Sequence, residues 1–243
     1  MLASLLLCTA GIVSAHASTF VTFSVDMATN IANATFNPGV DTIEAHGTFN
    51  GYGAFNLVQQ GDSTIYTNTV NDTTDANGAV MQYKFVINGS AWENVPNASG
   101  GNRYVLLPPN SGDSLILPTA FYADAGTAVT NDITFQVDVS QQIALGNFTP
   151  GTSSVEVRGT GVPNTWSGGN ILTLDPSIIR TNQFGLTTTN VYTGTFPVIG
   201  SPGGFQEYKF VINNPSTQWE SPQAPNADNG GNRYFANVVQ LYP

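Results

Sequence analysis

Positive charge is scarce in this chain. Six Lys and Arg stand against sixteen Asp and Glu in 243 residues, for a formal net charge of −10. Nucleic acids and anionic membrane surfaces both need clustered Lys and Arg to displace counterions, so both are excluded as partners. Charged residues of either sign make up only 9% of the chain, far below the roughly 25% of an average soluble protein. The polar surface therefore falls to Asn, Thr, Ser, Gln and Gly, uncharged groups that suit a neutral partner. Cysteine occurs once, at Cys8, which rules out a disulfide framework and a cysteine metal site. The two histidines, His16 and His46, fit no metal spacing and no Ser-His-Asp set, and no Gly-rich phosphate loop is present.

Long hydrophobic runs are also missing beyond the start of the chain. No stretch after residue 17 approaches the roughly 18 apolar residues of a membrane span. Leu2 to Val13 is apolar and Ala15-His16-Ala17 has the small-x-small form of a signal-peptidase site. Residues 1–17 therefore read as a secretion signal, the alternative being a first buried strand or helix, and the protein is expected outside the cell. Cys8 would leave with the signal. Five Asn-x-Ser/Thr sequons, at Asn33, Asn71, Asn88, Asn97 and Asn147, are explained by chance in a chain so rich in Asn and Thr.

What the chain does have, it has twice. Gln82-Tyr83-Lys84-Phe85-Val86-Ile87-Asn88, Trp92-Glu93 and Gly100-Gly101-Asn102-Arg103-Tyr104 return in the same order. The second set is Glu207-Tyr208-Lys209-Phe210-Val211-Ile212-Asn213, Trp219-Glu220 and Gly230-Gly231-Asn232-Arg233-Tyr234. The only two lysines and two of the four arginines occupy matching positions. Upstream, Phe23 matches Phe135, Phe36 matches Phe148 and Gly47 matches Gly159, all at an offset of 112 residues. Self-similarity of this kind marks a repeated structural unit. The copies run over 19–123 and 132–243, with 124–131 as a linker, each within the ordinary size of a domain.

Both copies alternate in polarity with a period of two. Phe20 to Val25 interleaves Phe and Val with Thr and Ser, and Tyr83, Phe85 and Ile87 alternate with Lys84, Val86 and Asn88. Further strands are predicted over Thr42 to Phe49, Thr64 to Val70 and Ser114 to Leu117. Turn residues such as Asn37-Pro38-Gly39 and Asp75-Ala76-Asn77-Gly78 separate them, and no sustained helical period is seen. Many short strands per hundred residues predict an all-β chain of two tandem immunoglobulin-like β-sandwiches.

Function is sought where the repeated motif gathers aromatic, cationic and amide groups. Lys209 lies on the strand face opposite Tyr208 and Phe210, Trp219-Glu220 follows a short turn, and Asn232 follows a Gly-Gly pair. Trp166 sits in Pro163-Asn164-Thr165-Trp166-Ser167-Gly168-Gly169, a segment too polar to hide an indole within a strand. An indole packs against the C–H face of a pyranose while Lys, Asn and Glu bond its hydroxyls, the general form of a small-ligand site. Structural roles stand open beside these. Trp219 fits a core position, Lys84 and Lys209 fit weak surface pairs with Glu93 and Glu220, and Asn102 and Asn232 fit turn formers. Arg103 and Arg233 read as braces that hold a loop through backbone carbonyls.

The Tyr-Lys-Phe, Trp-Glu-Ser-Pro and Asn-Arg-Tyr runs resemble the C-terminal half of starch-binding domains of the glucoamylase type, carbohydrate-binding modules of immunoglobulin-like fold. The resemblance implies one starch site per copy. In the second copy it would comprise Trp166, Lys209, Trp219 and Asn232, with Glu220 beside them. In the first it would comprise Lys84, Trp92 and Asn102 with Glu93, and Tyr52 where tryptophan is expected. Gly47-Thr48-Phe49-Asn50-Gly51-Tyr52 is also similar to a loop of related glycogen-binding modules.

Catalysis has weak support in the sequence, although sixteen carboxylates leave room for a glycosidase pair. Glu93 and Glu220 belong to different copies and have no local acid partner of the kind a glycosidase needs, and His46 is replaced by Arg158 in the other copy. The chain therefore reads as a non-enzymatic, cofactor-free, secreted binder of polysaccharide, an α-glucan, through two modules. The alternative is an extracellular structural protein whose sandwiches assemble with themselves. Exposed Trp92, Trp166 and Trp219 favour the first, and three buried tryptophans favour the second.

Overall fold

The computed structural model describes residues 18–161, 163–181, 185–222, 227, 228, 230–238, 241 and 242. The expected signal segment, with Cys8 and His16, lies outside the described residues. The first copy carries strands β1 (Thr19–Asp26), β2 (Ile43–Gly47), β3 (Phe55–Asn56), β4 (Val58–Gln59) and β5 (Ile65–Asp72). It continues with β6 (Val80–Ile87), β7 (Ala91–Trp92), β8 (Arg103–Leu106), β9 (Ser114–Ile116) and β10 (Ala120–Phe121). The second carries β11 (Val129–Asp138), β12 (Ser154–Gly159), β13 (Asn170–Ile171), β14 (Thr173–Leu174), β15 (Arg180–Thr181) and β16 (Thr187–Thr188). After these come β17 (Val191–Gly200), β18 (Phe205–Asn214), β19 (Ser216–Trp219), β20 (Arg233–Ala236) and β21 (Leu241–Tyr242). The all-β sandwich expectation holds, and strands β1, β2, β5, β6 and β9 fall where alternation placed them.

Each copy builds two facing sheets. In the first, β10-β1-β5-β4 faces β3-β2-β6-β7, with β9 added to β1 and β8 to β6. In the second, β14-β17-β11-β21 faces β13-β12-β18-β19, with β20 on β18. The period-two pattern explains the layering. Val21, Phe23 and Val25 of β1 are fully buried, while Thr22 points out and meets Thr69 of β5 at 2.8 Å. Thr134 and Thr195 repeat that outer pair at 2.7 Å.

The cores repeat as well. Phe23 packs its ring on Phe49, Phe55 and Tyr83, and Phe135 packs on Phe196, Tyr208 and Phe235. Edge-on contacts Phe36–Tyr66 (5.3 Å) and Phe148–Tyr192 (5.2 Å) close the other end of each core. Gly47 and Gly159 are fixed by close approach. A Cβ there would lie 2.4 Å from the Gln82 carbonyl oxygen and 2.1 Å from that of Glu207, well inside contact distance.

Sequence periodicity misses two single-turn helices, α1 (Ala28–Ala32) and α2 (Ser140–Ala144). They sit at the 112-residue offset, each just after the first strand of its copy. Five residues are too short to register as an apolar period. Among the described residues no helix is long and apolar enough to cross a membrane.

The motif arginines turn inward. Arg103 Nε donates to Glu93 Oε1 at 2.9 Å, and its Nη2 reaches Glu93 Oε2 (2.8 Å), Asp124 Oδ1 (2.8 Å) and the Phe121 carbonyl (3.1 Å). Glu93 also accepts from the backbone N–H of Phe85 and Ala123, both at 2.9 Å. Burial alone would pull the Arg103 pKa down, but Glu93 and Asp124 outweigh it and hold the guanidinium charged. The second copy repeats the pair, with Arg233 Nε 3.0 Å from both oxygens of Glu220, which accepts from Phe210 N–H at 2.7 Å. Carboxylates rather than backbone carbonyls are thus the main partners of these arginines.

The copies are joined at a built junction. Tyr104 of the first copy packs on Phe205 and Tyr234 of the second, each at 5.8 Å, and Val95 is buried in the same cluster. Asp124, the first residue of the predicted linker, accepts from Phe205 N–H at 2.8 Å while paired to Arg103. It therefore belongs to the junction, not to a free linker.

Removing one member of a buried ion pair strands its partner without a counter-charge, at a cost of about 3–5 kcal/mol. Arg103→Leu is expected to lower the unfolding free energy by that order and the urea midpoint with it. Arg233→Leu should cost less, because 26% of the Arg233 side chain reaches water against 3% for Arg103. Indistinguishable midpoints for the two variants in urea titration would refute this ranking.

Candidate aromatic binding faces

Strand parity places Lys209 with Trp219, and Lys84 with Trp92, on one outer sheet face of each copy. Tyr208 and Phe210 point into the core, so Lys209 and Val211 point out. Arg158 stands opposite Lys209, and Trp219 and Glu156 flank Val211. Residues opposite each other across a ladder share a face. Val211 is fully buried yet absent from the core cluster, because it lies on the outer face beneath this group. The first copy repeats the plan, with Val86 between Glu44 and Trp92, and His46 opposite Lys84.

All three tryptophans reach the surface, with Trp92 46% exposed, Trp166 38% and Trp219 43%. Trp219 is therefore not a core residue. Its ring centroid lies 6.2 Å from that of Trp166, with the planes 41° apart. The strand end and the upstream polar loop thus bring two indoles together. The Arg158 guanidinium lies 5.1 Å from the Trp219 centroid, a cation–π contact, and is itself held by Glu156 through Nε at 2.8 Å and through Nη2.

The amides and lysines border these faces. Asn102 Nδ2 donates to Gln82 Oε1 at 3.1 Å. A Cβ on Gly101 (φ +67°) would lie 3.2 Å from Lys84 Nζ, which places the ammonium against the Gly-Gly-Asn turn. In the second copy Asn232 Nδ2 donates to Glu207 Oε2 at 2.8 Å and lies 3.5 Å from Ser99 Oγ of the first copy. Its amide is committed to the junction, not displayed beside the indoles.

Glu93 and Glu220 do not join the ligand surface as expected. Glu93 is 2% exposed and its oxygens are taken by Arg103 and two backbone N–H groups. Glu220 lies near enough to Lys209 to feel its charge, but its ion pair is with Arg233. Burial pushes its carboxyl up, opposed by Arg233. Both glutamates are interior anchors.

His46, which the sequence set aside, belongs to the first copy's face. Its ring lies 4.9 Å from Trp92 at 62°, Nε2 is 2.7 Å from Glu44 Oε2, and Nδ1 is 2.8 Å from the Tyr52 carbonyl oxygen. Glu44-x-His46 and Glu156-x-Arg158 thus do the same work under the two motif indoles. The signal for this was the 112-residue offset shared by the Glu44-x-His46 and Glu156-x-Arg158 runs.

A cavity of about 460 Å³ opens where the copies meet, lined by Tyr104, Leu106, Ile116, Phe205 and Tyr234 among others. No tryptophan lines it. Among the described residues no group of three or more His, Cys, Asp or Glu is placed to hold a metal ion. The chain matches no known family model, and no characterised protein matches it significantly.

Glu207 gives the junction a pH response. Burial and an interaction with Asp228 push its carboxyl up to about 7. Asp228 Oδ2 is buried and has no hydrogen-bond partner, a place a shared carboxyl proton would fill. A folded-state pKa above the unfolded value means the native state binds the extra proton. The contribution of Glu207 is then fully present below about pH 4.5 and lost as pH rises through about 7. The melting temperature should fall between pH 5 and 8, and Glu207→Gln should flatten that slope. Parallel wild-type and variant profiles would refute the assignment.

Proposed function

We propose that the protein is a non-catalytic, secreted polysaccharide-binding protein that takes up α-glucan on the indole faces of its two copies. One observation carries the reading: Trp166 and Trp219 come from separate segments, converge at 6.2 Å and stay exposed. Full burial of a large apolar side chain is worth about 1.5–3 kcal/mol, and a ligand that covers the exposed 38% of Trp166 and 43% of Trp219 recovers the corresponding fraction. Lys209 on the same face supplies the hydrogen-bond donor a hydroxylated ring needs. The low charge density of the chain suits a neutral polymer.

The faces are unequal. The second copy pairs two indoles, whereas the first has one, Trp92, packed on His46. Two weak sites on one chain gain about 10²–10⁴ in avidity when both engage the same polymer, so neither need bind strongly alone.

Native gels containing soluble starch, run beside β-glucan and sugar-free gels, test the reading. Retardation by starch alone is expected, and Trp166→Ala/Trp219→Ala should remove most of it. Unchanged mobility in every gel would refute glucan binding and leave self-assembly of the sandwiches as the account of the exposed indoles.

A further inference from the structure

We propose that the first copy binds a divalent cation, calcium, between the carboxyls of Asp72 and Asp75, where β5 runs into its following loop. The proposal does not depend on the glucan reading.

Asp72 stands where a core residue belongs. It is the last residue of β5, 1% exposed, and lies opposite Thr19 of β1. Phe23 pairs with Asn68 and Phe135 with Gly194, so the two ladders put Asp72 and Val198 at the same position. Val198 is fully buried in the second core. Three residues on, Asp75 falls where the second copy has Ser201. The first copy thus places two carboxyls at the edge of its core where the second has none.

Those carboxyls have no counter-charge. Asp72 Oδ1 accepts from the backbone N–H groups of Thr74 (2.9 Å) and Asp75 (3.0 Å). Asp72 Oδ2 is buried and has no hydrogen-bond partner. The Asp75 carboxyl lies within hydrogen-bonding reach of the Asp72 carboxyl, but two carboxylates can only accept. Burial pushes the Asp75 carboxyl up, a hydrogen bond from Thr48 opposes it, and the charge of Asp72 adds to the rise. Among the described residues no Lys, Arg or His forms an ion pair with either acid. A buried carboxylate without a partner is costly. A cation between the two removes the repulsion and occupies the orphaned oxygen.

The neighbouring groups are hard oxygens, which suit calcium. Thr48 Oγ1 donates to Asp75 Oδ2 at 2.7 Å, and Thr19 Oγ1 donates to Asn77 Oδ1 at 3.3 Å. Two carboxylates, with hydroxyl, amide and water oxygens completing the shell, correspond to the weaker calcium sites of extracellular modules. Such sites have a Kd of about 10⁻⁴–10⁻³ M. An ion held there ties the β5–β6 loop to the single turn Thr48–Asn50 that follows β2.

The test melts the full chain, stripped with EDTA, with and without about 5 mM calcium chloride. The melting temperature is expected to rise by about 3–6 °C, with half the effect reached between about 0.1 and 1 mM. Sodium chloride at equal ionic strength should not reproduce the rise. Asp72→Val/Asp75→Ser, which installs the second copy's residues, should lose the calcium response while melting no lower than the calcium-free parent. Terbium alone is the second probe. The Asp75 charge reaches the Tyr52 phenol, so terbium emission excited through tyrosine should appear in the parent, fall on adding calcium and be absent from the variant. Asp75→Asn keeps the side-chain shape and carries the same test if the double variant does not fold.

A parent whose melting temperature ignores calcium overturns the proposal and leaves a proton shared by the two carboxyls in the cation's place. A calcium response that survives Asp72→Val/Asp75→Ser or Asp75→Asn also overturns it, because the ion then sits elsewhere.

Discussion

The fold depends on a buried guanidinium held between two carboxylates. Arg103, Glu93 and Asp124 draw together β6, β7, β8 and the turn after β10. The core alone would bury these strands but would not fix where β7 ends. Glu93 does so by taking the Phe85 N–H that a continuing β7 would have to serve. Trp92 is the residue before Glu93, so the anchor that goes inward sets the indole that goes outward. The same logic runs through Arg233, Glu220 and Trp219 in the second copy, where the Phe210 N–H is taken by Glu220. A buried ion pair adds little net stability over an apolar replacement, and fixing a unique arrangement is its better-attested use.

This division explains which parts of the sequence could be read. Alternation in β1 and β6 fixed the strands and their faces, because a one-residue slip would bury Thr22 and Lys84 and expose Phe23 and Phe85. The repeat gave two cores with matched rings. Side-chain fates inside the motif were harder. Trp-Glu reads as two neighbours with one job, but adjacent strand residues point to opposite faces. One of the pair had to be interior, and residue type did not say which. Arg103 as the partner of Glu93 was equally hidden, since the two are ten residues apart across a turn.

His46 was missed for a different reason. Its substitution by Arg158 looked like the loss of a functional group, when in fact both side chains meet a glutamate two residues earlier and pack against an indole. Comparing chemistry at matched positions, not identity, would have recovered it.

The duplication has a structural consequence beyond two similar faces. Asn102 and Asn232 begin from the same motif and bond to matching positions, Gln82 and Glu207. One substitution separates them. The neutral amide of Gln82 meets Asn102 within its own copy, whereas the carboxyl of Glu207 also takes the Ser99 N–H of the other copy. A carboxyl has two acceptor oxygens and can bond both neighbours at once, while Gln has only one oxygen to accept with. The exchange of Gln for Glu therefore turns the end of one aromatic face into the seam between copies. The second copy surrenders Asn232 to that seam and retains its paired indoles, and the first keeps Asn102 and Lys84 together beside a single indole.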